Sequence, residues 1–284
     1  ARYYYSLETE EDNRKALDYY LQYIEYNPKD TDTLLHIGLI YESGLGVPLN
    51  IDLARRYYER AAEQDETGMA YNFLGGTYMN DEETESNERK AVHYFQKAIE
   101  LGNTNAMFRI SYYLHNGKGG LQVDIPREIE LLTEASKRGN HQATYRLGLL
   151  FEDNESGMAQ NLELSVKYFQ LAADNGILAA INKMGELYLF GEVIPANLTK
   201  AISCFTAASE QGYGKASYWL GRLHTDGIGQ LEKDTQKAMN YYRKAIEQGY
   251  EEAREWMEQL QKNLVDETIT DIEIPPDKSD EELY

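Results

Sequence analysis

The chain has 284 residues and a net charge of −20, from 28 Lys+Arg against 48 Asp+Glu. Nucleic acid and anionic membrane both need a basic surface, so this balance argues against either as ligand and favours a basic or neutral partner. A single cysteine, Cys204, excludes an intrachain disulfide and a cysteine-based zinc site, and no apolar run is long enough to insert into a membrane.

The opening ARYYYSLETEEDN lacks the basic-then-apolar order of a secretory leader, which leaves a cytosolic chain or one whose leader has been removed. Next, Ala16, Tyr19 and Tyr20 match the second half of a helical repeat whose first half would fall before Ala1. The reading is therefore of a chain that begins inside a repeat, with more repeats or another domain upstream.

From there one register governs the chain. Gly38, Gly75, Ser111, Gly148, Gly185 and Gly221 are equivalent, at spacings of 37, 36, 37, 37 and 36 residues. Five residues earlier stand Thr33, Ala70, Ala106, Ala143, Ala180 and Ala216. One residue earlier stand Ile37, Leu74, Ile110, Leu147, Met184 and Leu220. Three residues later come Tyr41, Tyr78, Leu114, Phe151, Tyr188 and His224. This order of small, apolar, small and aromatic residues is one face of a helix, helix A, whose central Gly or Ser lets another helix approach closely.

A loop follows, often glycine-rich, as in SGLGVPLN and NGKGGLQVD. Helix B then carries a large pair: Tyr57/Tyr58, Tyr94/Phe95, Leu131/Leu132, Tyr168/Phe169, Cys204/Phe205 and Tyr241/Tyr242. One turn on sit Ala61, Ala98, Ala135, Ala172, Ala208 and Ala245. Large residues against small ones predict interlocked helices, with the pairs packing one repeat on the next. Gly102, Gly139, Gly176, Gly212 and Gly249 read as left-handed stops of helix B.

The pattern A-x-x-x-L-G-x-x-Y, loop, K-A-x-x-Y-Y-x-x-A-A-x-x-G resembles the Sel-1-like repeat family, a relative of the tetratricopeptide repeats. The resemblance covers Ala16 to Leu264. Repeats three and two depart most. The third has Ser111 for Gly and Leu131/Leu132 for the aromatic pair. The second and fourth have MNDEETESNERK and EDNESGMAQN in place of a glycine loop. Family loop functions are not carried to these loops.

After Gly249, Ala253, Trp256, Met257, Leu260 and Leu264 form one face of a terminal capping helix. Residues 265–284 are acidic with a double Pro and read as a disordered tail. The predicted fold is all-α: a right-handed α-solenoid of antiparallel helix pairs over residues 1–264, about six repeats with partial end repeats.

No catalytic constellation emerges. The five histidines fall at different repeat positions, and no H-E-x-x-H, P-loop or G-x-S-x-G pattern is present. No enzyme, metal or cofactor is expected. The sequons at Asn154 and Asn197 lie in loops and keep a lumenal location open.

By resemblance to tetratricopeptide arrays, helices A line a concave face that holds a protein or extended peptide. The positions that the packing pattern leaves free lie three before, one after and five after the central Gly. They supply Asn72, Phe108, Tyr112, Tyr145, Asn182, Glu186, Phe190, Tyr218 and Arg222 as candidate contacts. Amides can bond a peptide backbone while rings hold its side chains. The expected function is a non-catalytic interaction scaffold or adaptor. The resemblance also implies alternatives: a lumenal adaptor of a ubiquitin-ligase complex, or a bacterial secreted or periplasmic protein acting on host or envelope partners; the start inside a repeat suggests another, a regulatory repeat domain of a larger enzyme.

Overall fold

A computed structural model describes residues 9–153, 160–228 and 231–270; the Asn154 sequon and residues 271–284 of the tail lie outside them. The chain divides into two compact units, Ala1–Ala159 and Gln160–Tyr284. Every regular element among the described residues is a helix. The first unit holds α1 (Glu10–Tyr26), α2 (Thr31–Ser43), α3 (Ile51–Ala62), α4 (Met69–Met79), α5 (Glu85–Glu100), α6 (Thr104–Asn116), α7 (Ile125–Lys137) and α8 (His141–Glu152). The second holds α9 (Leu162–Asp174), α10 (Leu178–Phe190), α11 (Leu198–Glu210), α12 (Gly214–Asp226), α13 (Thr235–Glu247) and α14 (Ala253–Thr270). Helices A are α2, α4, α6, α8, α10 and α12. Within each unit every helix packs on its sequence neighbours. The last helix continues past Leu264 to Thr270.

Side chains set the helix starts. Asn50, Thr84, Asp124, Asn161, Asn197 and Asp234 each accept the backbone N–H three residues on and so begin a helix B. The sequon residue Asn197 is thus an N-cap. The backbone amides of four of these caps also close the preceding loop: Asn50 to Tyr41, Asp124 to Leu114, Asn197 to Tyr188 and Asp234 to His224.

The glycine stops behave as expected. Gly102, Gly139, Gly176, Gly212 and Gly249 all have positive φ, from 78° to 92°. The residue after each returns its N–H to the fully buried repeat alanine, for example Asn103 to Ala98 O at 2.9 Å.

The second ring of helix B lies on the central glycine of its own repeat. A Cβ at Gly38 would stand 2.3 Å from Tyr58 Cε1, and one at Gly75 2.5 Å from Phe95 Cε1. Gly185 faces Phe205 and Gly221 faces Tyr242 in the same way. Burial pushes the Tyr242 phenol up to about 12. The first ring does not bridge repeats as expected. Tyr57 stacks on Tyr41 at 5.9 Å and Tyr94 on Tyr78 at 5.7 Å, both within one repeat. It faces the aromatic residue one turn beyond the central glycine, so the bridging falls to the second ring. Tyr58, for example, stacks on Phe73 of the next repeat at 5.2 Å.

Polar bonds add direction in the first unit. Asn140 Oδ1 accepts from Ala143 N (3.0 Å), while its Nδ2 donates to Thr104 O (3.1 Å) and Asn105 Oδ1 (3.0 Å) one repeat back. Asn103 caps Ala106 N and donates to Thr67 O at 3.2 Å.

Candidate partner-binding groove

Residues three before, one after and five after the central glycine share one face of each helix A, because they stand one turn apart. In the first unit this face borders two cavities of about 880 and 840 Å³. They adjoin, since Phe73, Asn80 and Arg109 line both. The first has Glu42, Asp52 and Asp81 on its wall, with Arg55 and Arg109. Arg55 crosses it, donating to Asp81 Oδ2 (2.7 Å) and Thr77 Oγ1 (3.1 Å) and lying over the Tyr78 ring. That hydrogen bond holds the Asp81 carboxyl below the usual range.

The second cavity lies among α4, α6 and α8 and brings together three of the sequence candidates, Asn72, Phe108 and Tyr112. Asn72 is only 6% exposed, and its Oδ1 has no hydrogen-bond partner. A buried amide oxygen in that state costs about 1–3 kcal/mol. Phe108 is half-buried and Tyr112 is exposed, with Lys118 over its ring. The Tyr112 hydroxyl raises the pKa of that ammonium. Tyr145 is half-buried and is not part of the wall, although Gln142 and Arg146 of the same helix are.

The remaining candidates lie in the second unit and are largely engaged within it. Asn182 repeats the state of Asn72: it is 2% exposed with an unpartnered Oδ1, while its Nδ2 donates to Glu186 Oε1 at 2.9 Å. Glu186 also accepts from Trp219 Nε1 (2.9 Å) and pairs with Lys215 (2.8 Å). Arg222 donates to the Tyr218 hydroxyl (3.0 Å) and lies 3.8 Å over Trp256. The Tyr218 ring packs among Trp219, Tyr242, Tyr250 and Trp256. Phe190 is 56% exposed, with its ring edge-on to Trp219.

Two parts of the groove were not singled out from the sequence. The first is the position two before the central glycine, occupied by Phe73, Arg109 and Arg146 on the cavity wall. The second is Glu128, which is fully buried. Its carboxylate accepts from His115 Nδ1 at 3.0 Å and from Arg146 Nε at 3.1 Å. The register contains the signal for it: Glu128 aligns with Ala54, Ala91, Ser165, Ala201 and Ala238, all buried small residues. A carboxylate there must find partners among its neighbours, and helices A of repeats three and four supply them: the His115 imidazole and the Arg146 guanidinium.

Ser111 stands one turn before His115, but the two do not form a Ser–His–Glu arrangement with Glu128. The Ser111 hydroxyl donates instead to Phe108 O at 2.7 Å, and among the described residues no nucleophile bonds the His115 imidazole. No cluster of His, Cys, Asp and Glu among the described residues could hold a metal ion, and no helix there is long and apolar enough to cross a membrane.

A protein-family model described as Sel1 repeat matches residues 1–22, 32–66, 68–103, 104–140, 141–177, 178–213 and 214–250. The Sel1-repeat-containing protein YjcO of Escherichia coli K12 is 33% identical over 78 residues, 27% of this chain and 34% of that protein. Protein sel-1 homolog 2 of Rattus norvegicus is 40% identical over 70 residues, 25% of this chain and 10% of that protein. The chain thus spans about a third or less of these curated relatives. Among solved structures, a Sel1 repeat protein from Oxalobacter formigenes superposes with TM-score 0.67 at 24% identity, over 76% of this chain and 85% of that one. The c5321 antigen of uropathogenic Escherichia coli superposes with TM-score 0.52 at 22% identity, over 86% and 59%. These likenesses establish the fold, an α-solenoid of helix pairs.

Proposed function

Because the chain belongs to the Sel1 repeat family, a solenoid fold typical of protein-interaction scaffolds, we propose that it is a non-catalytic adaptor that holds an extended segment of a partner protein along helices A of its first unit. One observation carries this reading. Asn72 keeps a buried, unpartnered amide oxygen on the wall of an 840 Å³ cavity. A backbone N–H of a bound peptide would satisfy it, and the flanking rings of Phe108 and Tyr112 would receive neighbouring side chains. The recurrence of that state at Asn182, the equivalent position of the fifth repeat, supports an amide kept for a ligand over an accident of packing.

The test sets stability against binding. Asn72→Leu removes an unsatisfied polar group, so the melting temperature should stay level or rise while partner binding is lost. A photo-crosslinking residue at Phe108 or Tyr112 should label the partner, and one at the exposed Glu59 on α3 should not. Unchanged binding in Asn72→Leu, or labelling from Glu59 alone, refutes the proposal.

A further inference from the structure

We infer that the partner segment seated in the second cavity carries an internal Asp or Glu, whose carboxylate is anchored by Arg109. The inference rests on the groove reading above and adds the chemistry of the occupant. In a chain with 48 acidic residues against 28 basic ones, the wall of this cavity holds Arg109, Arg146 and His115 and no Asp or Glu. Arg146 and His115 share the buried Glu128 behind the wall. Arg109 is half-buried and makes no ion pair among the described residues.

A guanidinium in that state has given up part of its hydration without gaining a partner, and a carboxylate suits its planar fork. The net chain charge favours a basic or neutral partner, but screening confines charge effects to about 8 Å at physiological salt. Within the second cavity the occupant meets Arg109 and no carboxylate; Glu42, Asp52 and Asp81 belong to the wall of the adjoining first cavity, where Arg55 already pairs with Asp81. The anchor belongs to the middle of the segment because Arg109 lines both cavities. A chain terminus there would leave one of them empty.

The departures of the third repeat support the assignment. Ser111 in place of Gly, Glu128 in place of Ala, and Leu132 in place of a ring all fall in one repeat. Ser111 is on the cavity wall, and Glu128 holds two further wall residues. Ser111 and Leu132 compensate each other in packing, whereas a fully buried carboxylate at Glu128 is a change that stacking alone does not need.

The test uses a displayed library of 12-residue peptides flanked on both sides, panned on the full chain. Enriched peptides are then made with amidated C-termini and measured by fluorescence anisotropy. Enriched sequences should share an Asp or Glu at one position. Changing it to Asn or Gln should weaken binding at least tenfold, and Arg109→Glu should cost the acidic peptide at least as much. Arg109→Lys should retain part of the affinity; circular dichroism checks folding, with Arg109→Gln as the milder variant.

An enriched set with no shared acidic position overturns the inference, and so does binding that needs a free C-terminal carboxylate. If such peptides still lose affinity in Asn72→Leu and Phe108→Ala, the groove reading survives without the acidic anchor. Peptides indifferent to both changes, or no enrichment at all, overturn the groove reading and this inference with it.

Discussion

Two adjacent glycines in α4 offer a sharp test of how the repeats pack. At Gly75 an added Cβ would lie 2.5 and 2.6 Å from Phe95 Cε1 and Cδ1, against an optimal carbon–carbon separation of about 3.5–4.0 Å. Phe95 is fully buried, and the buried Tyr113 packs against it at 6.2 Å, so the ring cannot retreat by the roughly 1 Å required. At Gly76 the Cβ would meet only Arg109 Nη1 at 3.2 Å, the far end of a flexible side chain. Both alanines gain about 1 kcal/mol of helix propensity. Overpacking at Gly75 costs about 1–3 kcal/mol, at the upper end for a clash this deep. Gly75→Ala should therefore destabilise by about 1–2 kcal/mol net, whereas Gly76→Ala should be neutral or stabilising by up to about 1 kcal/mol. For a body of this size each kcal/mol is about 2–4 °C in melting temperature. Thermal and urea denaturation followed by circular dichroism reads both. Repeat three offers the compensation, a Ser where the ring is replaced by Leu132, so Gly75→Ser with Phe95→Leu should cost less than the sum of the two changes. If the two alanine variants shift alike, the interlock described above is wrong.

Further tests address directional bonds and titration. Asn140→Ala removes a cap and two bonds to the previous repeat and should cost about 2–3 kcal/mol in urea denaturation. Asn140→Ser keeps the cap acceptor but cannot reach back, and should cost about 1–2 kcal/mol; equal losses for Ser and Ala would remove the inter-repeat contribution. His224 stacks on Tyr241 with a buried, unpartnered Nδ1, and burial first, then Lys237, holds its pKa below the ordinary 6.5. The unfolded chain then takes up the proton first, so stability falls as pH drops below about 6.5 and through the folded pKa. His224→Tyr should flatten that limb of the stability–pH curve, and an unchanged slope would discount the group.

The register was legible because one rule of size repeats. A central Gly facing a ring recurs along the chain, as Gly38/Tyr58 and Gly221/Tyr242 do, and repeat three changes both members together to Ser111 and Leu132. The glycine stops were legible for the same reason, since only a positive φ turns the chain there. The site was legible in part. Asn72 was reached as a position three before the central glycine that the packing pattern leaves free, but its lack of a partner depends on neighbours that sequence spacing does not place. Arg109 was passed over because its equivalents include Phe73 and Trp219, which stack on the preceding ring of Tyr58 or Phe205 and so read as packing. Glu186 and Arg222 read as free charges, yet partners in neighbouring helices engage both.

The loop closures explain why the repeats differ in length. From the closing carbonyl to the cap the chain runs from Tyr41 to Asn50, Leu114 to Asp124, Tyr188 to Asn197 and His224 to Asp234. The third repeat carries one more residue in this segment than the fifth, matching their spacings of 37 and 36. The first repeat, also 37, instead takes its extra residue between Ala61 and Ala70, where later repeats have one fewer between the same alanines. In the third and fifth repeats helix A and helix B have 13 residues each despite the difference between their loops. The segment between closure points therefore acts as an expansion joint: residues spliced into it lengthen the turn without shifting the helices on either side. That makes it the natural graft point for a new epitope or a cleavage site, and the place where duplicated copies of the repeat can drift apart in length without breaking the stack.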